Sequence, residues 1–331
     1  MREAITLKKI AETLNISIST VSRALKNHPD ISIKTRQKVN ELATALDYEP
    51  NAYAIQLRTN KSNIFGLIVP SVSLFFYDSF ISSVEEECRK SGYSLIILQT
   101  SDNPETELDS LRLCRQNRVS GIFICLSPET KNIEPFLKLP KQDIPLIFFD
   151  KVPDEENTNR VSHADAQAAR LAAEVLLEKN KKNILAIFGN ADMSITKRRL
   201  NSFSEFMHQK GAGIKVTYVN ANNAQEANDC TKKYISAKKK PDAIFCMSDE
   251  ILTGTMKAIQ KAGIKIPQEM GILTMSNGFI PGLYHPEVDF VETSGFKLGK
   301  LAFTQMMACV NGTKLNQELT VDCTYISGSS L

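Results

Sequence analysis

From residue 64 onward, apolar runs of four to six residues alternate with helix-length amphipathic stretches, and few architectures accept that rhythm. The pattern predicts strands over 64–69, 93–98, 121–126 and 145–149, with helices over 77–91 and 105–117 between them. Each strand followed by a crossover helix implies a parallel sheet covered on both faces. The rhythm then starts again: helix 164–179, strand 184–188, helix 194–210, strand 214–219, helix 224–238, strand 243–247, helix 250–262, strand 271–274. Two doubly wound α/β lobes are expected, each with its own core. A ligand of such sheets lies beyond the carboxyl ends of the strands, here in the cleft between lobes.

The first 50 residues read differently. Thr6 can cap a helix in which Leu7, Ile10, Ala11 and Leu14 share one side, and Asn15 supplies a left-handed turn residue. Ser17 can cap a second short helix, with Ile16 and Val21 at hydrophobic-staple positions and Val21, Ala24 and Leu25 facing inward. That arrangement is a helix-turn-helix. Its second helix turns Ile18, Ser19, Ser22 and Arg23 outward: short side chains and one guanidinium able to grip a guanine edge. Ser32 can cap a third helix carrying Val39, Leu42, Ala43 and Leu46, against which the first two pack. Charge agrees with a nucleic-acid partner. Residues 1–60 carry nine Lys and Arg against six Asp and Glu, the whole of the chain's net +3, while the remaining residues balance.

The ordered set Thr6-Leu7-Lys8-Lys9-Ile10-Ala11, Ser17 to Leu25, Thr35-Arg36, Tyr48-Glu49-Pro50-Asn51, Ala54 and Leu57 resembles the LacI/GalR bacterial transcription regulators. The resemblance implies a small all-α helix-turn-helix domain over 1–50 and a hinge helix and linker over 51–62. A periplasmic-binding-protein-like effector and dimerisation body then follows over 63–331. Its first lobe would take about 63–160 and 293–322, its second about 161–290 and 323–331, the chain crossing back near 288–293. The DNA-binding residues it implies are Thr6, Ile18, Ser19, Thr20, Ser22, Arg23, Asn51, Ala54 and Leu57. Leu57 matches the hinge leucine that wedges between base pairs at the operator centre. So short a hinge helix forms only when something packs on it. Ile55 departs from the arginine many members carry there, which bears on local phosphate contacts.

In the body, Asp150 closes a strand and is placed to accept hydrogen bonds from ligand hydroxyls; it matches a family effector residue. Arg199 matches the effector-contacting arginine, and its fork can hold two oxygens at once. Ser248 and Asp249 follow one strand and Ser276 another, the last where many sugar-responsive members place an aspartate. That missing acid weakens the case for a simple sugar. Phe75, Phe76 and Tyr77 either stack on an apolar ring face or belong to the core. Arg198 and Lys197 read as solvated surface.

Other chemistries find no foothold. The chain has no phosphate loop, no G-x-S-x-G elbow and no zinc spacing among its four histidines, and Gly211-Ala212-Gly213 reads as a helix stop. No catalytic residue, metal or cofactor is assigned. Seven scattered cysteines without a C-x-x-C pair are expected to be reduced core residues, and no run approaches the ~18 apolar residues of a membrane span. The expectation is a cytoplasmic, homodimeric, non-enzymatic transcription regulator, a repressor. Its expected partners are a palindromic double-stranded DNA operator and a small polar, carbohydrate-like effector. The alternatives are a solute-binding protein without a DNA role and a regulator with a vestigial cleft and a protein co-effector.

Overall fold

The computed structural model describes residues 5–48, 62–155, 157–313 and 317–331, and the chain divides into two compact units, Met1–Ser62 and Asn63–Leu331. The first unit holds α1 (Leu7–Leu14), α2 (Ile18–Leu25) and α3 (Ile33–Ala45). Each starts on a hydroxyl that accepts a backbone N–H three residues on: Thr6 from Lys9, Ser17 from Thr20, Ser32 from Thr35. These caps satisfy amides that no helical carbonyl can reach. Asn15 ends α1 in the left-handed region, φ 53°, which turns the chain sharply into α2. Ile10, Ala11, Val21, Ala24, Val39 and Ala43 form a small buried core among the three helices.

The second unit is built on two six-stranded sheets. The first contains β1 (Ile64–Val69), β2 (Ser94–Gln99), β3 (Gly121–Ile124), β4 (Leu146–Phe149), β5 (Arg160–His163) and β11 (Glu318–Val321), in the order β11-β5-β4-β3-β1-β2. All its pairings are parallel. The second contains β6 (Asn183–Phe188), β7 (Lys215–Asn220), β8 (Ala243–Cys246), β9 (Gly271–Ser276), β10 (Asp289–Glu292) and β12 (Tyr325–Ile326), in the order β12-β10-β9-β8-β6-β7. Only the β10–β12 pair is antiparallel. Central strands such as β3 and β8 are buried at every residue, as strands covered on both faces must be. The edge strands β2 and β7 alternate exposed with half-buried positions.

Helices α4 (Phe75–Lys90), α5 (Pro104–Gln116), the short α6 (Glu134–Leu137) and α11 (Gly295–Val310) belong to the first lobe. Those of the second are α7 (Asp165–Glu178), α8 (Ser194–Lys210), α9 (Ala224–Ile235) and α10 (Asp249–Lys261). Helix α8 stops on Gly211. The backbone passes between lobes three times: after β5, after β10 and between β11 and β12. Helix α11 lies close on α4 because Gly299 has no side chain; a Cβ there would meet Ser83 Cβ at 2.8 Å and the Phe80 carbonyl oxygen at 2.9 Å.

One boundary differs from the sequence expectation. Residues 160–163, assigned mostly to the second lobe, form β5 of the first sheet. Arg160-Val161-Ser162-His163 is no apolar run, yet the strand is buried throughout. Two of its polar side chains reach a distant acid: Ser162 donates to Glu318 at 2.7 Å, and an Arg160 nitrogen lies 3.4 Å from the same carboxylate.

Candidate ligand cleft and nucleic-acid interface

In the first unit, the exposed side of α2 carries Ile18, Ser19 and Arg23, with Ser22 and Thr20 half-buried. Ile18 is 47% exposed, a large apolar side chain that the small core does not use. The Thr20 hydroxyl is engaged locally, 2.8 Å from the capping hydroxyl of Ser17, and Thr6 caps α1. Of the DNA-contact set, Asn51, Ala54 and Leu57 lie outside the described residues.

In the second unit a cavity of about 440 Å³ opens where the carboxyl ends of both sheets face each other. Nearly every strand end supplies a wall residue: Asp102 follows β2, Asp150 and Lys151 follow β4, Asn190 follows β6, Asn222 follows β7, and Ser248 follows β8. Of the predicted set, Phe75, Phe76, Tyr77, Asp150, Arg199, Ser248 and Asp249 line it. Ser276 does not. Its side chain is buried at the end of β9, donating to the Asp249 carboxylate and accepting the Gly278 amide at 2.9 Å. Strand alternation turns it into the sheet, and Asn277, the next residue, lines the cavity instead.

The aromatic trio divides. Tyr77 is core, and its hydroxyl donates to Asp150 at 3.0 Å. Phe76 packs edge-on to the buried His163, with centroids 5.8 Å apart. Phe75 stays 45% exposed and meets Phe279 of the other lobe at 5.1 Å. Beside that contact Asn277 ties the lobes together. Its amide donates to the Phe75 carbonyl at 3.3 Å, and its oxygen accepts the Gly295 N–H at 2.8 Å.

Arg199 is only 5% exposed, and much of its donor capacity is committed. Its Nε and one Nη approach Asp165 at 2.8 and 2.7 Å, and the other Nη donates to the Met247 carbonyl at 3.1 Å. A guanidinium has five N–H groups, so one remains on each Nη. Burial pushes the Asp165 carboxyl above its ordinary range even against the Arg199 charge. Burial, reinforced by that same charge, pushes His163 down to about 4, so its ring is neutral and shares a hydrogen bond with the Ser294 carbonyl at 3.2 Å.

Lys151, Asp102, Asn190, Asn222, Thr196 and Glu250 also line the cavity and were not singled out from the sequence. The strand-end rule that found Asp150 would have found several of them if applied to every strand. Lys151 pairs with Asp102 at 3.2 Å. Arg198 is not free surface either: it reaches from α8 to Glu318 of β11, 2.6 Å away, so that this ion pair joins the two lobes.

The sequence also matches known families. A model described as bacterial regulatory proteins, lacI family, matches residues 6–51, and one for periplasmic binding proteins and the sugar binding domain of the LacI family matches residues 62–324. Similar curated relatives include the HTH-type transcriptional repressor PurR of Pasteurella multocida, 26% identical over 92% of each chain. The PurR of Vibrio cholerae is 26% identical over 90% of this chain and 89% of its own. Among solved structures, the Lac repressor dimer bound to operator and the anti-inducer ONPF superposes with a TM-score of 0.88 over 99% of both chains at 19% identity. A periplasmic binding protein/LacI transcriptional regulator from Alkaliphilus metalliredigens, complexed with D-xylulofuranose, gives 0.70 at 25% identity, covering 81% of this chain and 99% of its own.

Proposed function

We propose, since the chain belongs to the LacI family of bacterial regulatory proteins, that it is a repressor whose α2 reads half of a palindromic operator and whose cleft binds a small polar effector. The observation that carries this reading is one chain joining a helix-turn-helix with an outward Arg23 to a body whose strand ends bring Asp150, Lys151 and Ser248 to the wall of a largely apolar cavity of about 440 Å³. Ligand sites are typically of that size and place. Arg23 would contact a base edge, with Ile18, Ser19, Thr20 and Ser22 completing the surface and Thr6 placed at the phosphates. Palindromic reading requires two copies, hence a homodimer. Asn51, Ala54 and Leu57 would form the hinge, Leu57 acting as the minor-groove wedge.

The effector couples to DNA through lobe closure. Asn277, the Phe75–Phe279 contact and the Arg198–Glu318 pair all cross between lobes, so a ligand drawing on both walls changes their relation. Asp150, Arg199, Ser248, Asp249, Phe75, Phe76 and Tyr77 would be its contacts, with Ser276 acting through Asp249. Such a protein works in the cytoplasm, where its DNA is, and catalyses nothing. The coupling is tested by reciprocity: a ligand that changes operator affinity by some factor must bind the operator complex with affinity altered by the same factor. Titration calorimetry with and without operator reads both. An operator affinity that no bound ligand changes would refute the coupling.

A further inference from the structure

The cleft walls carry four carboxylates, Asp102, Asp150, Asp249 and Glu250, against two cations, Lys151 and Arg199. Both cations already have partners: Lys151 holds Asp102, and Arg199 holds Asp165 behind the wall. Among the described residues, Asp150, Asp249 and Glu250 have no ion-pair partner within 4.0 Å. Asp249 and Glu250 also occupy the first turn of α10, where the helix dipole would otherwise favour a ligand's phosphate or carboxylate. The protein's own acids have taken that place.

A separate observation points to a ligand. Thr196 lines the same cavity and is 1% exposed, and its hydroxyl has no hydrogen-bond partner among the described residues. A buried hydroxyl left unpaired is costly, so a group that reaches it from the cavity gains directly. Thr196 stands three residues before Arg199 on α8, hence on the same face, and Arg199 keeps an N–H on each Nη. Donors therefore cluster on α8, and unpaired negative charge gathers at the start of α10 and at Asp150.

Resting on the reading of this cleft as the effector site, we propose that the effector is a hydroxylated amine of monosaccharide size, with its ammonium at the unpaired carboxylates and its hydroxyls at Thr196 and Arg199. A neutral sugar would leave the surplus negative charge uncompensated. A phosphorylated one would meet it with repulsion, since both cations are engaged.

The test uses the full chain at pH 7 and moderate salt, with calorimetry on matched probes: D-glucosamine, D-galactosamine and D-mannosamine against their parent hexoses, N-acetyl derivatives and 6-phosphates. The expected result is binding by at least one amine, tenfold or more tighter than by its neutral and phosphorylated counterparts. That preference should fall at least tenfold in Glu250→Gln or Asp249→Asn, each checked for native circular dichroism. A neutral or phosphorylated probe binding as tightly as its amine, or no amine binding at all, overturns the proposal. Thr196→Val, which keeps the shape and removes the hydroxyl, separates the two claims. If it weakens a neutral probe several-fold, the cleft reading stands and only the amine inference falls. If a bound probe ignores both Thr196→Val and Asp249→Asn, the cleft itself is not the site.

Discussion

Replacing Asp165 by Asn should do more harm than removing the whole ion pair. The Arg199 guanidinium is 5% exposed and Asp165 3% exposed, with two nitrogens on the carboxylate at 2.7 and 2.8 Å. Burial raises the Asp165 carboxyl despite its cationic neighbour, so desolvation of the pair roughly offsets its attraction. Asn at 165 leaves a buried guanidinium with a neutral partner, a change that costs about 3–5 kcal/mol in such sites. For a unit this large that is a fall in Tm of roughly 6–20 °C. The double variant Asp165→Leu/Arg199→Met has neither charge to desolvate and should recover most of that loss, while binding effector far more weakly. Urea unfolding of wild type, both single variants and the double variant gives the coupling energy directly. A single-variant cost below about 1 kcal/mol, or a double variant as unstable as the sum of the singles, would refute this account of the pair.

Acid should weaken the body through His163. Its folded pKa of about 4 lies below the unfolded value near 6.5, so the stability it contributes is present above pH 6.5 and lost as pH falls toward 4. The loss amounts to about 3 kcal/mol, and a His163→Gln variant should show that much less acid sensitivity in unfolding curves taken at pH 7 and pH 4. Gly299→Ala should cost about 1–3 kcal/mol, because the added Cβ meets Ser83 and the Phe80 carbonyl inside 3.0 Å; thermal unfolding would expose a harmless substitution. Arg23→Ala should cost ~1–3 kcal/mol at one base position and little elsewhere, whereas uniform weakening on all sequences would make Arg23 a phosphate contact.

What the chain's pattern revealed and hid follows from the range of the forces involved. The caps at Thr6, Ser17 and Ser32, and the turn at Asn15, act within four residues, so their signals stand whole in the sequence. Central strands are apolar throughout because both faces are covered, which makes runs such as 64–69 conspicuous. Strand β5 has no local signature because its Ser162 hydroxyl and one Arg160 nitrogen meet Glu318, more than 150 residues away. Arg198 has the sequence surroundings of a solvated side chain, yet it is bound by the same distant acid. In the cleft, Asp150 was legible as a strand-terminal carboxylate. Ser276 and Asn277 were not separable, because one residue of strand register exchanges the buried face for the open one. Thr196 could not be recognised from sequence either, since its distinction is an unpaired hydroxyl that only the folded wall defines.

Selection from random duplex DNA tests whether this chain reads a palindrome with paired helices and a hinge wedge. Wild type and Leu57→Ala would be carried through parallel rounds at moderate salt and the bound pools sequenced. Wild type should select a palindrome with a flexible pyrimidine–purine step at its centre, and the variant should relax or lose that step. No enriched sequence with wild type, with or without the hexosamine probes, would contradict it. So would an identical central step in both pools.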